Sequence, residues 1–289
     1  MKQYILIIGC LIFMASCSTS QRVIETTEEE KIEVIELDWE ELRKTEPYKL
    51  TEQWEPVPEK VTPGYFTTPP SDAVILFDGK DLSNWHHPEH GYGARMDQVE
   101  SILIARAKAP NHTKADWSVK DGAMVVKPGA GDIETKQSFG DIQLHIEWLS
   151  PHDPGKSDQY YSNSGIFFMG LYEIQVLNSY ENATYANGQA GALYKQHMPL
   201  VNASRPPGEW QSYDIVFNAP KFNTAGELTK VASVTAFHNG VLIQNNAELE
   251  GPCVFIGQSH YVAHADKLPL ILQDHGDKVR FRNIWVREL

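Results

Sequence analysis

The chain has 289 residues, 42% of them hydrophobic and 10% aromatic, with 38 acidic against 25 basic side chains and a formal net charge of −13. That apolar content builds a substantial core and excludes wholesale disorder; the length fits one large or two small domains. The acidic balance excludes a nucleic-acid binder, which needs clustered Lys and Arg, and three cysteines exclude a disulfide scaffold or a Cys-rich zinc site.

Residues 1–17 carry Lys2, an apolar run from Ile5 to Met14, and then Ala15-Ser16-Cys17. A basic start, an apolar stretch too short to span a bilayer and small residues before a Cys predict a secretory signal. Small residues ending directly at a Cys resemble the bacterial lipobox, with Met14 where Leu is usual. The expectation is cleavage before Cys17, lipid on Cys17, and a lipoprotein of the bacterial cell envelope, periplasmic or at the outer membrane. Cys10 then leaves with the signal, and Cys253 is the remaining thiol.

Between Glu25 and Lys60 stand 13 acidic and five basic residues, a net of −8, whereas residues 61–289 hold 25 and 18, a net of −7. Ile32, Ile35, Trp39 and Leu42 have helical spacing, which predicts a helix over 32–42. Pro47, Pro56, Pro58, Pro63, Pro69 and Pro70 follow. Residues 18–71 therefore read as an acidic, Pro-rich tether holding a domain (72–289) away from a membrane.

From residue 72 onward the pattern is all-β. Ile142, Leu144, Ile146 and Trp148 alternate with Gln143, His145 and Glu147, the period of a half-buried strand. Similar segments occur at 117–119, 124–127, 165–169, 172–177, 213–218, 233–238, 241–244, 270–273 and 279–287. Asn239-Gly240 between two of them is a hairpin signal, since both residue types tolerate positive φ. No three-turn amphipathic helix is predicted here, and the His-, Pro- and Gly-rich stretch 86–116 reads as a long loop. Trp85, Trp117, Trp148 and Trp285 lie in strand patterns and are assigned to the core. Some ten strands without an internal repeat predict a two-sheet jelly-roll sandwich.

A series of short motifs runs through this region: Leu76-Phe77-Asp78-Gly79-Lys80-Asp81-Leu82-Ser83-Asn84-Trp85, Trp117-Ser118-Val119-Lys120-Asp121-Gly122, Asn163-Ser164-Gly165-Ile166-Phe167, Tyr172-Glu173-Ile174-Gln175-Val176, Gly191-Ala192-Leu193-Tyr194, Gly208-Glu209-Trp210, Asn239-Gly240, and Leu272-Gln273-Asp274-His275-Gly276 through Phe281-Arg282-Asn283-Ile284. In this order they resemble the DUF1080, or 3-keto-disaccharide hydrolase, family across 72–289. The resemblance implies a concanavalin-like jelly roll that acts on glycosides already oxidised at C3, with a sugar 3-dehydrogenase acting upstream.

Strand parity supplies candidates. Glu173 and Gln175 share the face opposite Ile174 and Val176; Gln273 pairs with His275, and His145 with Glu147. Each pair is also what the wet face of any strand carries. With the resemblance, Glu173, His275, Gln175 and Tyr194 become the catalytic candidates; Gln273, Asp274, His145, Glu147 and Asn163 become candidates for substrate binding. A ketone at C3 acidifies the hydrogen on C2, so the chemistry needs a base (His275 or Glu173), a group polarising the ketone (Gln175, Tyr194 or a divalent cation) and an acid for the leaving group. No ligand set is assigned to a metal: His86-His87 with His90 forms a cluster, but without a standard zinc spacing.

Two other classes compete. A retaining glycosidase needs paired carboxylates about 5 Å apart; Glu173-Ile174-Gln175-Val176-Leu177-Asn178 lacks the second and third carboxylates of the Glu-x-Asp-x-x-Glu strand that such jelly rolls carry. A non-catalytic sugar-binding lipoprotein would stack Trp and Tyr on pyranose rings.

Overall fold

The computed structural model describes residues 20–26, 32–65, 68–91, 94–108 and 111–289, so the signal segment and Cys17 lie outside the described residues. The chain divides into two units, 1–60 and 61–289.

In the first unit, β1 (Ser20–Thr26) pairs antiparallel with β2 (Ile32–Asp38), placing Val23 opposite Ile35 and Ile24 opposite Val34. The helix expected over 32–42 is therefore confined to α1 (Trp39–Thr45). The β-branched Ile and Val of Ile32-Glu33-Val34-Ile35 are stiff at χ1 and favour a pleated partner over a helical turn.

The second unit begins with β3 (Val74–Phe77) and β4 (Trp85–His87), then α2 (Met96–Ala107), β5 (Thr113–Lys114), β6 (Ser118–Lys120), β7 (Ala123–Val125), β8 (Ile133–Phe139) and β9 (Ile142–Leu149). It continues through β10 (Ser164–Phe168), β11 (Tyr172–Val176), β12 (Trp210–Asn218), a small hairpin of β13 (Lys221–Phe222) with β14 (Leu228–Lys230), then β15 (Ser233–His238), β16 (Val241–Glu248), β17 (Leu268–Leu272) and β18 (Arg280–Glu288). A six-stranded sheet runs β11-β10-β17-β8-β4-β5, and an eight-stranded sheet runs β16-β15-β12-β9-β18-β7-β6, with β3 on β18. This is the jelly-roll sandwich. Its core lies between the sheets, where Ile142, Leu144, Ile146 and Trp148 of β9 are buried and Phe168 stacks on Phe217, centroids 4.6 Å apart. Asn239 and Gly240 both have positive φ in the β15–β16 turn, as the hairpin signal requires.

Two expectations are corrected. The stretch 86–116 is not a loop: it holds α2, whose buried Met96 and Val99 and partly buried Leu103 have helical spacing. The helix escaped notice because Arg95 offers no side-chain cap and the run Ile102-Leu103-Ile104 obscures its amphipathic face. Trp285 is not a core residue; it lies on the outer face of β18, stacked on His145 at 5.3 Å. Trp85, Trp117 and Trp148 are buried.

Cross-strand register then fixes the face that looks away from the core. Glu173 stands opposite Phe167, Phe167 opposite Ile271, Ile271 opposite Glu134, and Glu134 opposite His86, one row across β11, β10, β17, β8 and β4. One end of α2 is tied to the segment at 255–257, where Met96 N–H donates to Ile256 C=O at 2.9 Å and Phe255 N–H to Ala94 C=O at 2.9 Å. At its other end the Arg106 guanidinium bonds Glu134. Twelve helical residues span about 18 Å, close to the roughly 19 Å of four strand spacings. Helix α2 thus lies along this face, with a cavity at either end.

Candidate functional site

The first cavity, about 430 Å³, is lined by Glu173, Gln175, Asn163, Tyr194, Gln273 and His275, with Tyr160, Tyr185, Cys253 and Phe255 around them. It brings together six of the nine residues the sequence singled out, contributed by β11, the end of β17 and the loops beside them.

Glu173 lies in the row described above, its carboxyl over the bare Cα of Gly165 on β10. A Cβ at Gly165 would sit against that carboxyl and 2.6 Å from the Phe167 ring, so glycine is required for the close approach. Burial, with the Asp132 charge nearby, pushes the Glu173 carboxyl well above the usual carboxylate range. Asp132 itself, just before β8, is raised to about 6: burial and the neighbouring Asp274 charge outweigh the hydrogen bond it accepts from the Asp274 N–H at 2.8 Å.

The other groups are held by backbone register and short hydrogen bonds. Gln175 donates its amide hydrogens to Asn163 Oδ1 at 3.0 Å and Val176 C=O at 3.2 Å, which holds Asn163 in place. Asp277 accepts the Asn163 N–H at 3.1 Å. Gln273 N–H donates to Gly165 C=O at 3.0 Å, anchoring the turn that carries His275, an exposed imidazole at the cleft. The Tyr194 and Tyr185 hydroxyls are 2.8 Å apart. Tyr160, Tyr185 and Phe255 are exposed rim aromatics, flat surfaces of the kind on which sugar rings stack.

Three candidates lie elsewhere. The Asp274 carboxylate accepts the N–H groups of Gly131 and Gly276, each at 3.0 Å, and braces the loop behind His275. His145 and Glu147 are on β9, on the outer face of the eight-stranded sheet. There His145 Nδ1 pairs with Asp214 at 2.6 Å, and Glu147 accepts from Arg282 at 2.6 Å and Asn283 at 2.9 Å. Burial opposes ionisation of Glu147, but its bonds to His145, Asn283 and Arg282 prevail and lower it to about 2.

The sequence reading missed Asp132, Glu134, Arg106 and His112. The second cavity, about 510 Å³, lies at the Arg106 end of α2 and holds the last three with His86. No sequence signal marks them: Glu134 lies in a strand without apolar alternation, and only the structure shows it buried, where a carboxylate needs partners. Burial lowers His86 and His112 from the usual histidine range.

Residues 72–287 match the family described as the 3-keto-alpha-glucoside-1,2-lyase-like domain. Among solved structures, a proposed glycosyl hydrolase from Parabacteroides distasonis ATCC 8503 is 43% identical, covers 84% of this chain and 96% of its own, and superposes with a TM-score of 0.72. A second proposed glycosyl hydrolase from the same organism is 18% identical over 75% of this chain and 94% of its own, with a TM-score of 0.47. No protein of curated function matches the chain. Sequence match and superposition agree that the chain belongs to the 3-keto-alpha-glucoside-1,2-lyase-like family, a carbohydrate-active domain of hydrolase or lyase type.

Proposed function

We propose that the cleft around Glu173 cleaves 3-keto glycosides by elimination across C1–C2. His275 takes the C2 proton, and the C–H electron pair moves onto the C3 oxygen as an enolate. That pair returns to form the C1–C2 double bond as the C1–O bond breaks. The leaving oxygen takes a proton, and water adding across the double bond completes a net hydrolysis. Glu173 supplies the acid. The Tyr194 hydroxyl is the donor to the ketone oxygen, a role its contact with Tyr185 supports.

One observation carries this reading: Glu173 is a buried carboxyl whose proton affinity is raised by desolvation and a neighbouring charge, in the same cleft as an exposed imidazole. A candidate acid and a candidate base in one cleft are what an elimination requires. The matched family's description, a 3-keto-alpha-glucoside-1,2-lyase-like domain, supports looking for this bond change.

The test is incubation with a glycoside and its 3-keto derivative. Cleavage of the keto form alone supports the reading; cleavage of both would identify a conventional glycosidase, and of neither a sugar-binding protein. A sugar 3-dehydrogenase upstream would supply the substrate. From the sequence alone we also propose lipid attachment at Cys17 and a site in the bacterial cell envelope. Labelling of the native protein with an alkyne fatty acid tests this; label persisting in Cys17→Ser would refute it.

A further inference from the structure

We infer that His86, His112 and Glu134 form a binding site for one divalent first-row transition cation, zinc being the best match to the donors. Three potential ligand atoms converge here: His86 Nε2 is 3.0 Å from Glu134 Oε1, His112 Nδ1 is 3.4 Å from the same oxygen, and the two nitrogens are 2.6 Å apart.

A proton serves this arrangement poorly. A His86 Nε2–H shared between Glu134 Oε1 and His112 Nδ1 leaves those two lone pairs facing each other at 3.4 Å, and a proton on His112 Nδ1 leaves the His86 lone pair against the carboxylate. A cation takes all three lone pairs at one centre. Ligands at about 2.0–2.2 Å from a shared tetrahedral zinc stand roughly 3.3–3.6 Å from each other. The 3.4 Å separation of His112 from Glu134 fits, the 3.0 Å one of His86 from Glu134 is a few tenths short, and the two imidazoles need to part by about 0.7–1.0 Å, a side-chain adjustment open to the more exposed His112.

The surroundings are those of a built site. Glu134 is fixed in the middle of the sheet, and its other oxygen is bound by Arg106 at the end of α2, which leaves Oε1 as a single, oriented ligand. His86 is fixed on β4, paired with Glu134 across the sheet. Two imidazoles and one carboxylate leave coordination positions open, and the adjacent cavity, with Lys136 and His264 on its wall, gives room for a ligand there. With Arg106 offsetting Glu134, a bound dication makes the site net positive, so it takes an oxygen donor of anionic or strongly polarised character, such as a carboxylate or a deprotonated diol.

This is separate from the elimination cleft. Glu173 and Glu134 stand three strands apart in the same row, about 14 Å at the usual strand spacing, so one C3 oxygen cannot touch both.

The experiment is metal loading of the full chain, stripped with a chelator and dialysed against zinc chloride. The expected result is one zinc per chain. It should persist in Glu173→Gln and weaken in His112→Ala and Glu134→Gln by more than the roughly 10–100-fold typical of outer-shell losses. Cobalt(II) provides a readout that needs no variant: the intense visible bands of a four- or five-coordinate ion with nitrogen ligands. Trace zinc, undiminished binding in His112→Ala, or a cobalt spectrum like that of the hydrated ion would each overturn the assignment. None of these readouts is an activity, so failure of the elimination mechanism leaves the result unchanged.

Discussion

Glu147 and Glu173 are each a buried glutamate on the face of a strand that looks away from the core, yet their proton affinities move in opposite directions. Both have lost water, which favours the neutral acid. On β9, His145, Arg282 and Asn283 return that cost as hydrogen bonds to the anion; on β11 the neighbouring charge that matters is Asp132, of the same sign. Burial creates the potential for an unusual carboxyl, and the partners decide whether it becomes a fixed anion or a store of protons.

The sharpest way to break this contrast is to neutralise each carboxyl in turn. Glu173→Gln should reduce turnover of a 3-keto glycoside by about 10²–10⁴, the range for a lost general acid, without lowering the melting temperature, since glutamine keeps the volume and has no charge to desolvate. Glu147→Gln should leave turnover intact. Active Glu173→Gln beside an inactive Glu147→Gln would place the chemistry on the wrong sheet.

His275→Ala is expected to lose about 10²-fold in kcat, near the lower end for a general base, with stability within about 0.5 kcal/mol because the imidazole is exposed. Stopped-flow release of the leaving alcohol measures it, and full activity would remove His275 from the mechanism.

The stability half of the comparison rests on Glu147. Glu147→Gln removes the charge and replaces one of the two acceptor oxygens by an NH2 that faces a donor, which should cost about 2–3 kcal/mol at pH 7. The folded value of about 2 lies below the unfolded value near 4.3. Its contribution is therefore complete above about pH 4.3 and is lost as pH falls through 2. Urea unfolding of wild type and Glu147→Gln at pH 7 and pH 2.5 should show the difference shrinking.

How far the sequence reveals all this depends on which interactions are local. Strands such as β9 and β11 were legible because alternation over five to eight residues records one buried face, and the Asn239-Gly240 turn because its backbone requirement falls on two adjacent residues. Parity likewise put Glu173 with Gln175, and Gln273 with His275, on common faces. Parity cannot say which sheet a face belongs to, however, so His145 and Glu147 looked equivalent to Glu173 until strand order separated them. Strand β8 was invisible because Thr135 and Gln137 stand at the positions that share parity with Ile133 and Phe139, so no apolar rhythm marks it. The His86–His112–Glu134 cluster joins residues 26 and 48 positions apart across a helix the sequence reading did not find, and no local spacing encodes that convergence.

The smallest expected effect is at Asp132, and it tests whether one carboxyl holds another protonated. Its folded value of about 6 exceeds the unfolded value near 3.9, so its favourable contribution is complete below about pH 3.9 and lost as pH rises through 6. Asp132→Asn stays neutral throughout and still offers Oδ1 to the Asp274 N–H. It should therefore stabilise the fold by about 1–2 kcal/mol above pH 7, after discount for partial exposure, and by nothing near pH 3.5. The same substitution removes the charge that lifts Glu173, so Glu173 should ionise more readily. If Glu173 acts as the acid, the alkaline limb of the kcat profile moves to lower pH in Asp132→Asn. A limb that stays in place while the stability shift appears would mean that Asp132 tunes the fold but not the cleft, and Glu173 would then owe its proton to burial alone.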